Sequence, residues 1–338
     1  GLHAISGNFY RFTAAPLDDH YTVALSPDNF PAAGVDGFWP LARTTPMADN
    51  QILDNEKLAE ASPGSFKRIG VLKADVDDLG AILVGGLGDK RTAALTATIS
   101  ESLTLFFGGW LDQICSEPEF SNKVYVLYAG GDDLLIIGTW DVMPELAGRI
   151  AADFSRYTGH NPSVHLSAGI SVVGGKEPLY AAIEEADDAL HKAKSYPSAT
   201  PTKNAICFMD TVFDWAQFED VQSWNRRLRS MLDEGVPSSL LSTLLQIYAQ
   251  YLDDCRELEE STSGYVTRAT YGRYGGNGRE LYLGPWLWQM IYRLHRIAND
   301  EKAHDGIHEV QDRLLTADGI RQMALSARWA QIIARKEE

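Results

Sequence analysis

The stretch that decides the fold runs Lys123-Val-Tyr-Val-Leu-Tyr-Ala-Gly-Gly-Asp-Asp-Leu-Leu-Ile-Ile137. Two short apolar runs flank a pair of glycines, a pattern typical of a β-hairpin. The tip of this hairpin would present two adjacent carboxylates, Asp132 and Asp133. Since Mg2+ in proteins is usually held by one or two carboxylates together with water and substrate phosphates, the tip is a candidate metal site.

A second acidic cluster follows another apolar run upstream. The segment Arg68-Ile-Gly-Val-Leu-Lys-Ala-Asp-Val-Asp-Asp-Leu-Gly80 predicts a buried strand that ends at Asp75. In a β-α-β-β-α-β sheet of the ferredoxin type, the hairpin tip lies beside the carboxyl end of the first strand. We therefore predict that Asp75, Asp132 and Asp133 converge, as in a polymerase-like palm with two metal ions. The plain alternative is a solvated turn beside an acidic strand end.

The chain divides into three predicted regions. Residues 1–66 hold strand-like pieces among loops and form a β-rich appendage. Residues 67–210 alternate between strands and helices, which predicts a palm with helices packed over one face of its sheet. Residues 211–338 lose the strand signal and predict a separate helical bundle. The predicted fold class is α+β, a ferredoxin-like palm followed by an all-α domain.

The hydrophobic spacing also gives element bounds. The predicted strands other than the first strand and the hairpin are Gly7–Thr13, Tyr21–Leu25, Val164–Val173 and Ala205–Met209, of which the last would close the sheet. The predicted helices are Thr92–Cys115, Val142–Tyr157, Leu179–Lys194, Trp224–Leu232, Ser239–Leu258, Leu283–Ile297 and Gly319–Ala334. A loop is predicted from Ser261 to Gly278.

The composition is that of an ordinary globular protein, with 338 residues of which 45% are hydrophobic and 22% charged. The formal net charge of −16 argues against a surface that coats nucleic acid non-specifically, because such binding depends on many Lys and Arg side chains. The first residue is Gly1 and not Met, which fits either a trimmed chain or a fragment of a longer protein.

The three cysteines, Cys115, Cys207 and Cys255, are far apart and show no C-x-x-C spacing. Neither a disulfide framework nor a zinc site is predicted from them, and reduced cysteines fit a cytoplasmic location. The sequence has no apolar stretch of the roughly twenty residues that cross a bilayer and no signal-peptide profile, so no membrane association is predicted.

Two lysines are candidates for handling phosphate. Lys194 ends the predicted helix Leu179–Lys194, and Lys203 lies just before the last predicted strand. Ammonium groups near a metal site would bind the outer phosphates of a triphosphate as point charges. Taken alone, both would be ordinary surface lysines.

The order of these motifs resembles the palm of GGDEF-type nucleotidyl cyclases. The motifs are Ala74-Asp-Val-Asp77, Gly130-Gly-Asp-Asp133, Leu166-Ser-Ala-Gly-Ile170 and Ala186-Asp-Asp-Ala-Leu-His-Lys-Ala-Lys194. More narrowly, the chain resembles the large polymerase-like subunit of type III CRISPR effector complexes, particularly the III-A kind. The narrower features are Asp133 in place of Glu, the phrase Asp75-Val-Asp-Asp-Leu-Gly80, the pair Phe106-Phe107 and the helical tail. The resemblance covers roughly residues 36–338.

This resemblance implies a function. It implies a Mg2+-dependent (or Mn2+-dependent) nucleotidyltransferase that makes cyclic oligoadenylates from ATP in antiviral defence. Synthesis would begin when the complex pairs its guide RNA with a target RNA. The implied partners are the other subunits of the complex and, through them, both RNAs.

The resemblance also implies roles for residues. Asp75 and Asp132 would be metal ligands, aided by the Val76 carbonyl. Asp133 would be a further ligand or would assist deprotonation of the attacking 3′-hydroxyl, which makes the three aspartates the catalytic set. The nucleotide-binding residues would be Gly130, Gly131, Asp77, Asp78, Lys194 and Lys203. A Cβ at either glycine would obstruct the nucleotide.

The chain also departs from the family pattern. Family members usually carry an N-terminal HD-type nuclease domain and a first palm, and residues 1–66 are too short for either. His304-Asp305 is an HD dipeptide without the other ligands of such a nuclease, so we interpret it as surface and predict no deoxyribonuclease activity. The cysteine-bound zinc of the family is not predicted either.

Two alternatives stay open. One is a nucleotide-binding scaffold module that docks on other subunits without turnover, and the other is a diguanylate-type cyclase that prefers GTP. Joining two nucleotides needs two facing sites, so the enzyme hypothesis requires either a homodimer or a partner palm.

Overall fold

The computed structural model describes residues 41–48, 51–86, 88, 92–196, 203–261, 284–298, 304–316 and 318–335. Outside these ranges it describes only the backbone of short strands. The N-terminal elements are β1 (Leu2–Ile5), β2 (Asn8–Arg11), β3 (Val23–Ala24), β4 (Gly37–Phe38), β5 (Met47–Ala48), β6 (Gln51–Ile52) and α1 (Asn55–Glu60). Each of these strands belongs to a two-stranded pair, β1 with β2, β3 with β4 and β5 with β6.

The central region alternates as predicted. Its strands are β7 (Ile69–Val76), β8 (Val124–Gly130), β9 (Asp133–Thr139), β10 (Leu166–Val173), β11 (Ala205–Phe208) and β12 (Thr211–Asp214). Its helices are α2 (Leu79–Ala81), α3 (Ala93–Thr104), α4 (Leu111–Ser116), α5 (Met143–Tyr157) and α6 (Leu179–Lys194). A π-helical turn at Ile82–Gly86 follows α2, and another at Leu105–Trp110 joins α3 to α4.

The C-terminal region is mainly helical, also as predicted. Its helices are α7 (Trp215–Asp233), α8 (Ser239–Ser261), α9 (Pro285–Ala298), α10 (His304–Leu314) and α11 (Gly319–Ile333), and the short strands β13 (Arg273–Tyr274) and β14 (Leu281–Tyr282) pair between α8 and α9. The sequence did not predict α1, α10 or this strand pair. The rest of the predicted loop from Ser261 to Gly278 lies outside the described residues.

The six-stranded sheet has the order β12-β11-β10-β7-β9-β8. Within it, β10-β7-β9-β8 are antiparallel neighbours, and this is the strand order of a β-α-β-β-α-β ferredoxin-like core. The predicted fold class is therefore confirmed. Since β11 pairs with β10 in parallel and β12 pairs back on β11, the complete sheet is mixed.

One prediction about the sheet was wrong, because β11 does not close it. Residues Thr211–Asp214 form the outer strand β12 after a two-residue turn. Met209 and Asp210 in that turn both have positive φ, 49° and 63°, which is the backbone of a type I′ hairpin. Neither is the glycine or asparagine that normally marks such a turn, so the sequence carried no signal for this hairpin.

The sheet is also covered on both faces and not on one. Alternation along β7 sends Leu72, Ala74 and Val76 into a core that includes residues of the π-helical turn after α3, of α4 and of α5. On the opposite face, Ile69 and Val71 pack against α1 and α6. The sequence prediction missed this because α1 is short and its burying residues, Leu58 and Ala59, lie in the predicted appendage.

The first face holds a dense aromatic cluster. Phe106, Phe107 and Phe154 are buried, with ring centroids 5.1–5.8 Å apart. Aromatic side chains bury large apolar areas, and edge-to-face pairs such as Phe106 with Phe154 add to that stabilisation. The pair Phe106-Phe107, noted in the sequence, therefore anchors the helical layer beneath the sheet.

The helical region has its own core, to which α7, α8, α9, α10 and α11 all contribute. It also shares residues with the palm, because Phe218 of α7 and Trp329 of α11 pack in the palm core against Phe208 of β11. Within the described residues, no helix is both long and apolar enough to cross a membrane. The predicted domain limits at residues 66 and 210 stay a prediction.

Candidate active site

The hairpin between β8 and β9 forms the centre of the candidate site. Gly130 pairs with Asp133, so Gly131 and Asp132 are the two turn residues. Gly131 has φ of 65° and Asp132 does not have a positive φ, as in a type II′ turn with glycine first. A Cβ built on Gly130 or Gly131 meets no atom within 4 Å. The space beside this turn is open, as a bound nucleotide would require.

The sheet register brings the predicted aspartates together. Asp75, at the end of β7, is the direct partner of Asp133 in β9. The neighbouring Val76 amide donates to the Asp132 carbonyl oxygen at 2.8 Å. Because directly opposite residues of a strand pair share a face, Asp75 and Asp133 both lie on the face that α6 covers. The hairpin tip thus lies beside the carboxyl end of the first strand.

Helix α6 delivers Lys194 to this position. The Lys194 Nζ atom forms an ion pair with the Asp75 carboxylate, whose side chain is 24% exposed. Two residues earlier on the same face of β7, Lys73 pairs with Asp187 of the same helix. Burial raises the pKa of Asp75, while Lys194 lowers it and the charges of Asp132 and Asp133 raise it further. Asp75 and Asp133 are direct partners in the sheet, and two neighbouring carboxylates favour a cation between them.

The donor set suits Mg2+. Carboxylate oxygens are its preferred protein ligands, one or two are usually enough, and water and phosphates complete the shell. Among the described residues no group of three or more His, Cys, Asp or Glu side chains surrounds a single point. Asp75 and Asp133 therefore supply a pair of carboxylates, and the Lys194 ammonium group is the cation that now neutralises Asp75. Two protein carboxylates are enough for an ion that binds together with its nucleotide. Metal ligation by Asp75, Val76, Asp132 and Asp133 stays a prediction.

Asp77 occupies a different place from its neighbours. Its side chain is buried, and its Oδ2 atom accepts hydrogen bonds from Ser167 Oγ at 2.8 Å and from the Asn204 amide at 3.1 Å, and pairs with His165 Nδ1 at 2.7 Å. The carboxylate thus ties the end of β7 to β10 and to the segment before β11. Because the Asp77 carboxylate is buried and bound to these groups, we propose no direct contact between Asp77 and the nucleotide.

Asp78 and Lys203 form the exposed rim of the site. Lys203 Nζ donates to Asp78 Oδ1 at 2.6 Å, and this contact holds the pKa of Asp78 below its ordinary value. Asp78, Lys203 and Asn204 have positive φ of 54°, 75° and 48°, a conformation that non-glycine residues rarely adopt. Since the Asn204 amide bonds to buried Asp77, this network fixes the backbone that presents Lys203.

Sequence reasoning missed three residues of the site. Tyr128 lies beside the turn, half exposed, and its interaction with Asp133 raises the Tyr128 pKa. A register irregularity between Val126 and Tyr128 interrupts the alternation of β8, so periodicity could not place that ring. His165 and Asn204 could be recognised as residues of the site only from their contacts with the Asp77 carboxylate. The adjacency of Tyr128 to Ala129-Gly130 was the one available signal.

The fold and the site together define a nucleotidyl-cyclase or polymerase-type palm with an acidic turn. More particularly, residues 68–207 match the family model described as Cas10/Cmr2, second palm domain. This match covers the sheet from β7 to β11 and includes every predicted site residue. The resemblance to the large subunit of type III CRISPR complexes is therefore confirmed.

Curated relatives agree with this family. The chain is 36% identical over 199 residues to the Cas10/Csm1 single-strand-specific deoxyribonuclease (subtype III-A) of Methanocaldococcus jannaschii. The aligned segment covers 52% of this chain and 25% of the relative. The protein of the same name from Thermococcus onnurineus is 27% identical over 253 residues, covering 65% of this chain and 30% of the relative. The chain thus spans less than a third of either relative.

Solved structures show the same fold. A Csm1-Csm4 cassette in complex with cA4 superposes with a TM-score of 0.64 at 19% identity, covering 88% of this chain and 41% of that one. Csm1 of T. onnurineus gives 0.63 at 20% identity, covering 94% and 45%. A Csm1-Csm4 cassette with one ATP gives 0.58 at 21%, covering 87% and 41%. The α+β palm and the helical region are both included in these superpositions.

Proposed function

We propose that this chain carries the cyclase site of a type III-A CRISPR large subunit and joins ATP molecules into cyclic oligoadenylates. The observation that carries the proposal is the register of Asp75 opposite Asp133, beside the open Gly130-Gly131 turn and under Lys194. The similar folds solved with cA4 and with one ATP support adenine nucleotides as the substrate class.

The residues would divide the work by position. Asp75 and Asp132, with the Val76 carbonyl, would hold the metal, and Asp133 would hold a second ion or take the proton of the attacking 3′-hydroxyl. Bound Mg2+ would neutralise charge on the triphosphate and on the departing pyrophosphate. Lys194 would move from Asp75 to a phosphate, and Lys203 would bind an outer phosphate from the rim. Asp78 would hold Lys203 in place until nucleotide arrives.

Two nucleotides must face each other before they can be joined. One palm supplies one of the two sites, so the reaction requires either a second copy of this chain or a partner palm. We propose the other subunits of the complex, its guide RNA and the target RNA as partners that control this pairing; solved Csm1 folds in complex with Csm4 support a subunit partner. We also propose domain limits at residues 66 and 210.

The deoxyribonuclease activity in the relatives' names is not proposed for this chain. The chain spans 25% and 30% of the two relatives, and the matched family model is that of the second palm. The dipeptide His304-Asp305 lies at the start of α10, outside residues 68–207, and in the described part of the chain it belongs to no group of three or more metal-binding side chains.

The test is mass spectrometry of the products after the chain is incubated with ATP and Mg2+. We expect cyclic oligoadenylates from the native chain and none from the double variant Asp132→Ala/Asp133→Ala. The matched control is Glu184→Ala/Glu185→Ala, which removes two adjacent exposed carboxylates from α6 and should keep full activity. Products that persist in the aspartate variant would refute the site.

Binding measurements separate the alternatives when no product forms. ATP binding that requires both aspartates, without turnover, would favour the scaffold module. In that case, adding the partner subunits and target RNA decides whether the palm is silent or only waiting for its facing site. A preference for GTP in the same assay would favour the diguanylate-type cyclase.

A further inference from the structure

Two histidines on α10 form a pair that the proposed function does not use. His304 and His308 are one helical turn apart and both exposed. Their Nε2 atoms are 3.3 Å apart, and their ring centroids are 4.5 Å apart. Residues at positions i and i+4 of a helix share one face. Both imidazole rings therefore lie on the same face of α10, with their Nε2 atoms close together.

The separation of the two nitrogens matches metal coordination. Two nitrogens bound to one tetrahedral zinc ion at about 2.0–2.1 Å lie about 3.3 Å apart, since the tetrahedral angle fixes that edge. The observed separation of the Nε2 atoms is 3.3 Å.

Asp305 is placed to orient one of the rings. The Asp305 Oδ1 atom lies 3.3 Å from His304 Nδ1. A carboxylate at that nitrogen favours the tautomer with its proton on Nδ1, which leaves Nε2 free to bind a metal. The dipeptide His304-Asp305 thus lies in one helical turn with His308, an arrangement that differs from the ligand set of an HD-type nuclease.

The helix that carries the pair is firmly packed. On its inner face Ile307, Val310 and Leu314 are buried in the core of the helical region, and a Cβ at Gly306 would meet the Met231 side chain at 2.6 Å. The backbone positions of the two histidines are therefore fixed before an ion binds, which reduces the ordering cost of binding.

We propose that His304 and His308 form an open site for a divalent transition metal of the Zn2+ class. Imidazole nitrogen suits zinc and its neighbours, whereas Mg2+ prefers the carboxylates of the candidate active site. Within the described residues, no third His, Cys, Asp or Glu completes the shell. Two coordination positions are left for water or for a ligand from another molecule. This histidine site is different from the cysteine-bound zinc site of the family, which the sequence did not predict for this chain.

The test is calorimetric titration of the untagged full chain with Zn2+, in excess Mg2+ to occupy the carboxylate site. We expect one ion per chain. Since loss of an outer-shell partner alone costs about 10–100-fold in metal affinity, His304→Ala and His308→Ala should each weaken binding by about tenfold or more. The control is His295→Ala, an exposed histidine on α9 without a histidine partner one turn away, which should leave binding unchanged.

A spectroscopic measurement accompanies the titration. Co2+ in place of Zn2+ should give visible absorption bands that both alanine variants lose and His295→Ala keeps. Circular dichroism shows that each variant is folded, and both substituted side chains are exposed. One ion per two chains, with dimers formed on adding zinc, would support the site and assign the open positions to a second copy. Absence of binding to the native chain, or unchanged binding in both alanine variants, would overturn the proposal.

Discussion

The two faces of β7 differ sharply, although they alternate along one strand. Leu72, Ala74 and Val76 enter a dry core with the aromatic cluster. On the other face, Lys73 and Asp75 are half-buried and pair with Asp187 and Lys194 of α6. Alternation within a strand thus lets one element contribute to stability on one face and carry charged groups on the other.

The charged face carries a carboxylate whose ionised form burial disfavours, whereas the other face is apolar. Burial raises the pKa of Asp75, which means that the protein holds this carboxylate ionised at a cost. Under the proposed function the site would receive a cation and release pyrophosphate, which would require such imbalance, and the core on the opposite face would supply the stability that offsets it. Substitutions on the two faces should therefore affect different measurements.

The largest expected effect is on the aromatic face. Phe106→Ala removes a fully buried ring and should lower the free energy of unfolding by about 3–5 kcal/mol. Chemical denaturation measures this loss. The neighbouring Leu105→Ala, at a side chain that is 47% exposed, should change stability by less than about 0.5 kcal/mol. Equal losses in both variants would contradict the division between the faces.

A smaller effect is expected on the charged face. Lys194→Met removes the ammonium group that pairs with Asp75, while the unfolding free energy should change far less than in Phe106→Ala. Since a hydrogen bond to a charged group contributes about 1.5–3 kcal/mol, ATP affinity should fall about tenfold or more. Equilibrium binding of ATP in Mg2+ measures it. Lys176→Met, on a side chain that is 86% exposed, is the control and should bind ATP normally. Unchanged ATP binding in Lys194→Met would remove Lys194 from the site.

The smallest effect is a pH dependence. The folded pKa of Asp75 lies above 3.8 and that of Asp78 below it. On acidification Asp75 is therefore protonated first, and Mn2+ binding, followed by electron paramagnetic resonance, should weaken at a pH where Asp78 is still ionised. For the metal-free protein the sign is opposite: the stability tied to protonated Asp75 is present below its unfolded pKa and is lost as pH rises through its folded pKa.

Asp75→Asn provides the matched variant for that prediction. It removes the titrating group, so the acid-side change in stability should disappear. Because a proposed ligand is also lost, Mn2+ binding should be weak at every pH. Persistence of the same pH profile in Asp75→Asn would show that another group controls it.

Much of the palm could be predicted because its signals are local. Two glycines between apolar runs determine a two-residue turn, and the apolar run before Asp75 determines a buried strand. The hairpin, the strand order and the presence of Asp75 near the turn followed from these signals and were confirmed. The β11–β12 turn could not be predicted, because Met209 has no preference for the positive φ that it adopts and Asp210 alone does not mark a two-residue turn.

The predicted site residues differ in the same way. Asp132 and Asp133 are set by the turn, so the sequence located them. The burial of Asp77 depends on His165 and Ser167, which are 88 and 90 residues away in sequence. No local pattern carries such a pairing, and Asp77 and Asp78 look alike in the sequence although one is buried and the other is exposed.

By itself, the sequence determined the strand-turn-strand geometry, the acidic chemistry at the turn and the helical character of the C-terminal region. These depend on side-chain alternation, glycine conformation and helical periodicity, all of which act over a few residues. Four features became apparent only in the folded structure: the pairing of Lys194 with Asp75, the burial of Asp77, the covering of both faces of the sheet, and the contribution of α7 and α11 to the palm core. Those features depend on contacts between distant segments, whose geometry is fixed only when the whole chain packs.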